Sequence, residues 1–279
     1  MKRVINLLMI LLIGLCVFGC SNTPAGNEPQ NNNAPESSEP ETEWLCTKET
    51  YYNSDGKISS YDVIEYDENG NFVKVEEYDA DNKLVYIGES TYDDKGNEVL
   101  YVETEYESEG DFHYKTEYEY DEKNQLISET SYFEDGTVAE YYTYEYDSNG
   151  NRIHAVNTAP DGELYLETVT EYDDKGRVTK HYTKVEGYGD WVQVYEYNGD
   201  FIEKVCTYSD GETVDRTDVY AYKDQNPDLI ETISCYDASN NLYYKIEYRY
   251  DEYGNEISSA EFDASGNMKT MVEYEFTRK

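Results

Sequence analysis

Hydrophobic and polar residues alternate along most of this chain with a period of two. In Leu242, Tyr244, Ile246, Tyr248 and Tyr250, aromatic and aliphatic side chains interleave with Tyr243, Lys245, Glu247 and Arg249. The segment Phe112–Tyr120 repeats the scheme, with His113, Lys115, Glu117 and Glu119 in the polar phase. A period of two sends successive side chains to opposite faces of an extended strand, so the pattern predicts antiparallel strands buried on one face and wet on the other. No helix is predicted between them.

The strands recur. A tyrosine stands before each predicted turn at Tyr52, Tyr66, Tyr78, Tyr92, Tyr106, Tyr120, Tyr132 and Tyr146, with Thr158 in the same phase, then Tyr172, Tyr222, Tyr236, Tyr250 and Phe262. Four residues after each mark stands Gly or Asn: Gly70, Gly96, Gly150, Gly176, Gly254 and Gly266 are the structural turn glycines, and Asn82, Asn124, Asn226 and Asn240 are among the substitutes. These residue types accept the left-handed backbone that closes a type I hairpin turn with a bulge. Asp one place after most marks, as at Asp67, Asp93 and Asp147, bonds the amides of its own turn. Tandem repetition at this scale sets the architecture: an all-β meander of about sixteen short strands, roughly 75 Å wide if flat and therefore curled or coiled as a single sheet. Between Lys184 and Leu229 the register weakens, and the segment from Glu186 to Asp190 is expected to be a corner or a projecting loop.

The N-terminus follows other rules. Lys2 and Arg3 precede an apolar run from Val4 to Phe18, and Gly19 precedes Cys20, after which the chain is polar. The run is short for a permanent span, so residues 1–19 read as a cleaved signal peptide. Val17, Phe18, Gly19 and Cys20 resemble the lipobox of bacterial lipoproteins, which implies lipidation of Cys20 and a cell-membrane location facing outward. Residues 20–43 hold Pro24, Pro29, Pro35 and Pro40 and no large apolar residue, and are expected to form a disordered linker. The repeat domain is then 44–279, with no further membrane span expected and no toxin domain expected after it.

Charge excludes one class of partner. The chain carries 61 acidic and 22 basic side chains, net −39, and loss of Lys2 and Arg3 with the signal takes it to −41. Such a field repels phosphate backbones, so nucleic acid is excluded as a partner. Cys206 and Cys235 fall at like positions two strands apart, beyond disulfide reach, and are expected to be free thiols.

The units Tyr66-Asp67-Glu68-Asn69-Gly70-Asn71, Tyr92-Asp93-Asp94-Lys95-Gly96-Asn97, Tyr146-Asp147-Ser148-Asn149-Gly150-Asn151 and Tyr172-Asp173-Asp174-Lys175-Gly176-Arg177 resemble the YD repeats of RHS proteins and teneurins. The resemblance covers most of residues 50–276 and implies strands that spiral into a shell. Short glycine and aromatic hairpins are also similar to MORN-type repeats.

Candidate chemistry is sparse. His113, His154 and His181 lie in separate predicted strands without metal spacing and read as solvated strand histidines. The acidic turns offer oxygen ligands at Asp67, Asp79, Asp81, Asp93 and Asp94 that suit weak Ca²⁺ binding, although none forms the twelve-residue calcium loop. No catalytic residue and no cofactor are expected. The reading is a non-catalytic, lipid-anchored scaffold that binds or adheres to an unknown surface protein or glycan. The alternatives are a cell-wall glycan-binding module and a shell or immunity component of a toxin system.

Overall fold

The computed structural model describes residues 44–107, 110–209 and 211–279; Cys20, the signal peptide and the linker lie outside them. Eighteen strands follow one another. They are β1 (Trp44–Tyr52), β2 (Ile58–Tyr66), β3 (Phe72–Asp79), β4 (Leu84–Tyr92), β5 (Glu98–Glu105), β6 (Phe112–Tyr120), β7 (Leu126–Phe133), β8 (Val138–Tyr146) and β9 (Arg152–Thr158). There follow β10 (Leu164–Tyr172), β11 (Val178–Val185), β12 (Gly189–Asn198), β13 (Phe201–Tyr208), β14 (Val214–Tyr222), β15 (Ile230–Asp237), β16 (Leu242–Tyr250), β17 (Glu256–Asp263) and β18 (Met268–Arg278). Each pairs antiparallel with its sequence neighbours, and β1 also pairs with β18 from Trp44↔Arg278 to Tyr52↔Met271. The ladder closes on itself.

The fold is therefore a closed β-barrel, which corrects the expectation of a curled or coiled single sheet. The strand count is also higher than expected, because the weak-register stretch is regular meander: β12 and β13 are joined by Gly199 and Asp200 alone. The segment from Glu186 to Asp190 does not project; Tyr188 N donates to Val185 O at 3.1 Å in a tight turn, with Gly187 and Gly189 at φ 78° and 100°.

The cause of closure lies beside the turns. Among the seventeen hairpins, all but β5–β6 and β11–β12 shift register by one residue at the turn-proximal end, as between Tyr66↔Phe72 and Glu65↔Lys74. Each shift is a β-bulge, which bends its strand and adds right-handed twist. Bulges repeated around the sheet supply the curvature that closes it. The alternation of side chains reads as an uninterrupted period of two, so these single-residue insertions are hard to see in sequence.

The turns use the expected chemistry. In the β8–β9 turn Gly150 stands at φ 93° and donates its N–H to Asp147 O at 3.2 Å, while Asp147 Oδ1 accepts from Asn149 N at 2.8 Å and Asn151 N at 2.9 Å. Asn151 Nδ2 donates to the second carboxylate oxygen at 2.9 Å. Asn82, Asn124 and Asn240 adopt the same left-handed backbone at φ 60°, 69° and 63°. Asn226 does not: its φ is −98°, and Asp224 and Gln225 take the positive values in a short 3-10 turn before Pro227.

The marker tyrosines divide into two sets because each bulge exchanges the faces once per turn. Those ending even-numbered strands point inward. Tyr66, Tyr120, Tyr146, Tyr172, Tyr197, Tyr222 and Tyr250 each donate a hydroxyl to the backbone carbonyl at or near the start of the preceding strand, namely Cys46, Glu98, Leu126, Arg152, Val178, Ile202 and Ile230, at 2.7–3.1 Å. Those ending odd-numbered strands point outward; Tyr52 donates to Glu273 and Tyr78 to Glu76. The structural unit is thus a pair of strands, and the latched tyrosines collect at one rim.

That rim is also stitched turn to turn. The amides of Asn97 and Asn124 bond each other at 2.6 and 2.7 Å, Gln125 reaches Gly150 O at 3.4 Å, and Arg177 reaches Gly199 O. Loss of one latch hydroxyl in Tyr146→Phe is expected to lower stability by about 1 kcal/mol, the usual net worth of a hydrogen bond. Tyr132→Phe, which loses only an outer-wall bond to Glu117, is expected to stay within about 0.5 kcal/mol of the parent. Urea unfolding of the two variants measures the difference.

Candidate functional site

Cross-strand register assigns each mid-strand side chain to one wall. The outer wall carries charge at mid-strand, arranged in pairs: Lys48–Glu275, Lys74–Glu76, Lys204–Glu196 and Lys245–Glu247 lie at 2.7–2.9 Å. No helix among the described residues is long and apolar enough to cross a membrane, and strands are judged by the face they turn outward. A transmembrane barrel needs an apolar outer band, where a Lys at mid-depth costs ~2–4 kcal/mol. This outer wall is built for water.

The inner wall combines tyrosines with carboxylates. From β2 to β8 it carries Asp62, Glu77, Glu98, Glu103, Glu129 and Glu140 and no Lys or Arg. Tyr51 donates to Glu49 at 2.7 Å and to Asp62 at 3.2 Å; Tyr86 donates to Glu103 at 2.8 Å, and Tyr144 to Glu129 at 2.7 Å. Burial pushes every one of these carboxyls upward, and those of Asp62 and Glu256 reach about 7, Asp62 further raised by the charges of Glu77 and Glu49. A barrel of sixteen to eighteen strands is too wide for its inward side chains to fill. Tyr86, Tyr101, Tyr118 and Tyr144 accordingly remain only half-buried.

Packing is tight along parts of this wall. An added Cβ at Gly88 meets Tyr101 Oη at 1.9 Å, so the absent side chain is what lets the Tyr101 ring lie there, its hydroxyl 2.6 Å from that of Tyr86. On the opposite arc the wall is more apolar, with Val205 2% exposed, Ile233 buried and Cys235 fully buried. Arg216 there donates to Asp218 at 2.7 and 3.0 Å.

The sites expected from sequence are dispersed. Asp67, Asp93 and Asp94 stand in turns at the latched rim, and Asp79 and Asp81 in a turn at the opposite rim. Both oxygens of Asp67 and of Asp93 serve their own turns, and no group of three His, Cys, Asp or Glu side chains among the described residues is placed to hold a metal ion. His113 and His154 lie on the outer wall, bonded to Thr104 at 2.9 Å and Glu167 at 3.0 Å. His181 differs from expectation: it faces inward against Thr170, and burial lowers its pKa. Cys206 and Cys235 are free thiols, but on opposite faces of the sheet, since their partners Thr217 and Asp218 are consecutive in β14. Burial pushes the Cys235 thiol up to about 12 and leaves it unreactive. A shallow outer groove of about 460 Å³ lies by Val102, His113, Lys115, Tyr132 and Gly136.

The inner carboxylates are what the sequence reading missed. The available signal was Glu76-Glu77, adjacent in a strand, of which one must face inward, and the alternation Tyr101, Glu103, Glu105.

No family model matches the chain, and no curated protein matches it. Among solved structures it is similar to a complex of TcdB2-TccC3 with Cdc42, with TM-score 0.37 and 15% identity over 78% of this chain and 14% of that one. It is also similar to porin-like proteins from Bacteroides uniformis (TM-score 0.38, 12% identity, 83% of this chain and 98% of that one) and Bacteroides vulgatus (0.36, 11%, 83% and 98%). The chain spans about one seventh of the TcdB2-TccC3-Cdc42 chain it matches. These scores are too low to carry function across.

Two outcomes follow from the inner wall. Gly88→Ala is expected to cost about 1–3 kcal/mol in urea unfolding, the range for an overpacked site. The second concerns pH. Inner carboxyls raised above their unfolded values of ~4 hold more protons folded than unfolded up to pH ~7, so stability falls as pH rises through that window. Turn carboxylates such as Asp67, Asp147 and Asp263, held low by bonds within their turns, stabilise above pH ~4 and lose that contribution in acid. The urea midpoint is therefore expected to be higher at pH ~5 than at pH ~8, and Asp62→Asn with Glu256→Gln is expected to flatten the difference.

Proposed function

We infer that this chain is a non-catalytic binding barrel, held outside the cell membrane by a lipid on Cys20 and using its inner wall as the recognition surface. The observation that carries the reading is the contrast between the walls: lysines of the outer wall are paired with glutamates across the surface, whereas from β2 to β8 the inner carboxylates face a common lumen without a basic residue among them. Low-dielectric walls that carry one sign of charge concentrate ligands of the other sign. Half-buried tyrosines beside them offer flat apolar area with a hydroxyl at its edge.

The position of the N-terminus supports an orientation. β1 starts at the latched rim, where Trp44 pairs with Arg278 and its ring lies 5.1 Å from that of Tyr253. A linker over 20–43 then joins the anchor to the latched end, and the opposite rim is the mouth. The outer groove beside Tyr132 and His113 is the place for the alternative, a glycan held on the outside.

The barrel closes within Trp44–Arg278, so the chain from Ser21 onward suffices for a test. Thr168→Cys places a thiol on the inner wall, where Thr168 pairs with Ala155 and Thr183; Thr130→Cys places one on the outer wall beside the groove. Each is labelled with a bulky maleimide and compared with unlabelled protein for retention on a panel of immobilised glycans, cationic peptides and amines. Loss of retention with the inner label alone is the expected result. Loss with the outer label alone moves the binding surface to the groove and overturns the reading.

A further inference from the structure

We propose that the β1–β18 ladder is a proton-operated seam: the barrel closes there while the carboxyl row of Glu256, Glu49, Asp62 and Glu77 is protonated, and β1 parts from β18 when that row is charged. The device goes beyond the luminal reading and stands whichever wall binds a ligand.

The seam lacks what ties every other strand pair. Seventeen pairs are joined by turns, whereas β1 and β18 are held to each other by their ladder alone. Strands on a short turn stay close when their bonds break. Ends joined only through the rest of the ring regain more freedom, since closure entropy grows with the length of chain between them. The register of this ladder also breaks between Cys46 and Lys48, away from any turn. On its outer face it carries the exposed Lys48–Glu275 pair at 2.8 Å and the Tyr52 hydroxyl on Glu273 at 2.6 Å. Exposed pairs of this kind hold little.

On its inner face the seam carries acids. Glu49 of β1 stands directly opposite Asp62 of β2, and Asp62 directly opposite Glu77 of β3. Across the ladder Glu49 faces Tyr274 of β18, and Tyr274 and Ser259 bond the Glu256 carboxyl of β17. Like charges directly opposed across strands repel, and the charge of Glu49 reaches both Asp62 and Glu256. No Lys or Arg stands in the inner phase of β1, β2, β3 or β17, and Arg278, in the inner phase of β18, lies at the rim opposite Trp44.

Protonation reconciles this row with its burial. Asp62 Oδ1 and Glu256 Oε1 are buried without a hydrogen-bond partner, which suits a neutral carboxyl and penalises a charged one. Tyr51 donates to Glu49 at 2.7 Å and to Asp62 at 3.2 Å, so one hydroxyl proton is shared between two carboxyls. Burial raises all four, Asp62 and Glu256 to about 7. Parting β1 from β18 separates Glu49 from Glu256 and admits water, which returns the groups toward ~4. The closed form thus holds protons that the open form releases. Closure is favoured in acid, and each such group shifts the balance toward opening by about tenfold per pH unit between pH ~4 and ~7.

Buried thiols supply the test. Cys46 lies in the seam opposite Phe276, whereas Cys206 and Cys235 lie in β13 and β15, away from it. The chain from Ser21 onward is treated with iodoacetamide at two pH values, and peptide mass spectrometry follows each cysteine. Each rate is divided by that of the same cysteine in the urea-unfolded chain at the same pH, which leaves the opening of the fold as the variable. From pH ~5.5 to ~8 the normalised rate at Cys46 is expected to rise at least about tenfold, and those at Cys206 and Cys235 to change by less than about twofold. Asp62→Asn with Glu256→Gln is expected to keep Cys46 protected at the higher pH. Glu129→Gln removes an inner carboxyl away from the seam and is expected to leave the rise intact. Circular dichroism and the urea midpoint show that both variants fold, and the comparison within the unaltered chain stands without them. A parallel rise at all the cysteines means global loosening and overturns the proposal, as does an unchanged Cys46 or a rise that survives in the folded seam variant.

Discussion

Everything in this structure depends on the pairing of the first strand with the last. A sheet edge presents unsatisfied N–H and C=O groups that template association with other chains. The β1–β18 ladder satisfies both edges at once and turns a long meander into a wall with two distinct faces. Only then does the parity of a residue decide whether it meets bulk water or the lumen. The bulges beside the turns make that pairing reachable, since each adds a small increment of bend that no single hairpin needs for its own stability.

The two faces solve different electrostatic problems. Outside, most strand lysines have a carboxylate within reach along the strand or across it, an arrangement worth little in stability. Inside, carboxylates are hydrogen-bonded by tyrosines and set against one another. That arrangement is unfavourable, and the tyrosine latches and turn carboxylates at the rims offset it. Stabilising contacts and repulsion are therefore separated in space, with the rims holding the shape and the middle of the wall left under repulsion.

Much of this was legible in the sequence. The turns were readable because Asp, Gly and Asn act locally, within five residues, and the Asp147–Asn151 turn needs nothing from the rest of the chain. The strands were readable from alternation. Closure was not, because it depends on Trp44 meeting Arg278, a contact between residues that no local signal links. Nor was the role of the tyrosines: Tyr66 and Tyr78 look equivalent in sequence, yet one latches inside and the other lies outside, since an intervening bulge at Val73 exchanges the faces. The same bulge hid the inner carboxylates, as Glu76 and Glu77 can be sorted only once the register is known. The lipid anchor expected at Cys20 is a separate matter, since it lies outside the described residues.

The strand-pair unit has a consequence for how such a barrel can change size. Because the first and last strands pair antiparallel, a change of size that keeps this ladder adds or removes whole pairs of strands, and most pairs bring one latched tyrosine with them. Removal of a single strand would leave the closing partners running in the same direction. Duplication of one unit of about 26 residues, by contrast, widens the circumference by two strand spacings and preserves every neighbouring contact. Since the ends meet side by side, the chain could equally be opened at any turn and joined at Trp44 and Arg278 to give the same ring in a permuted order. Lumen width is in this sense a gene-length variable, adjustable without redesign of the wall.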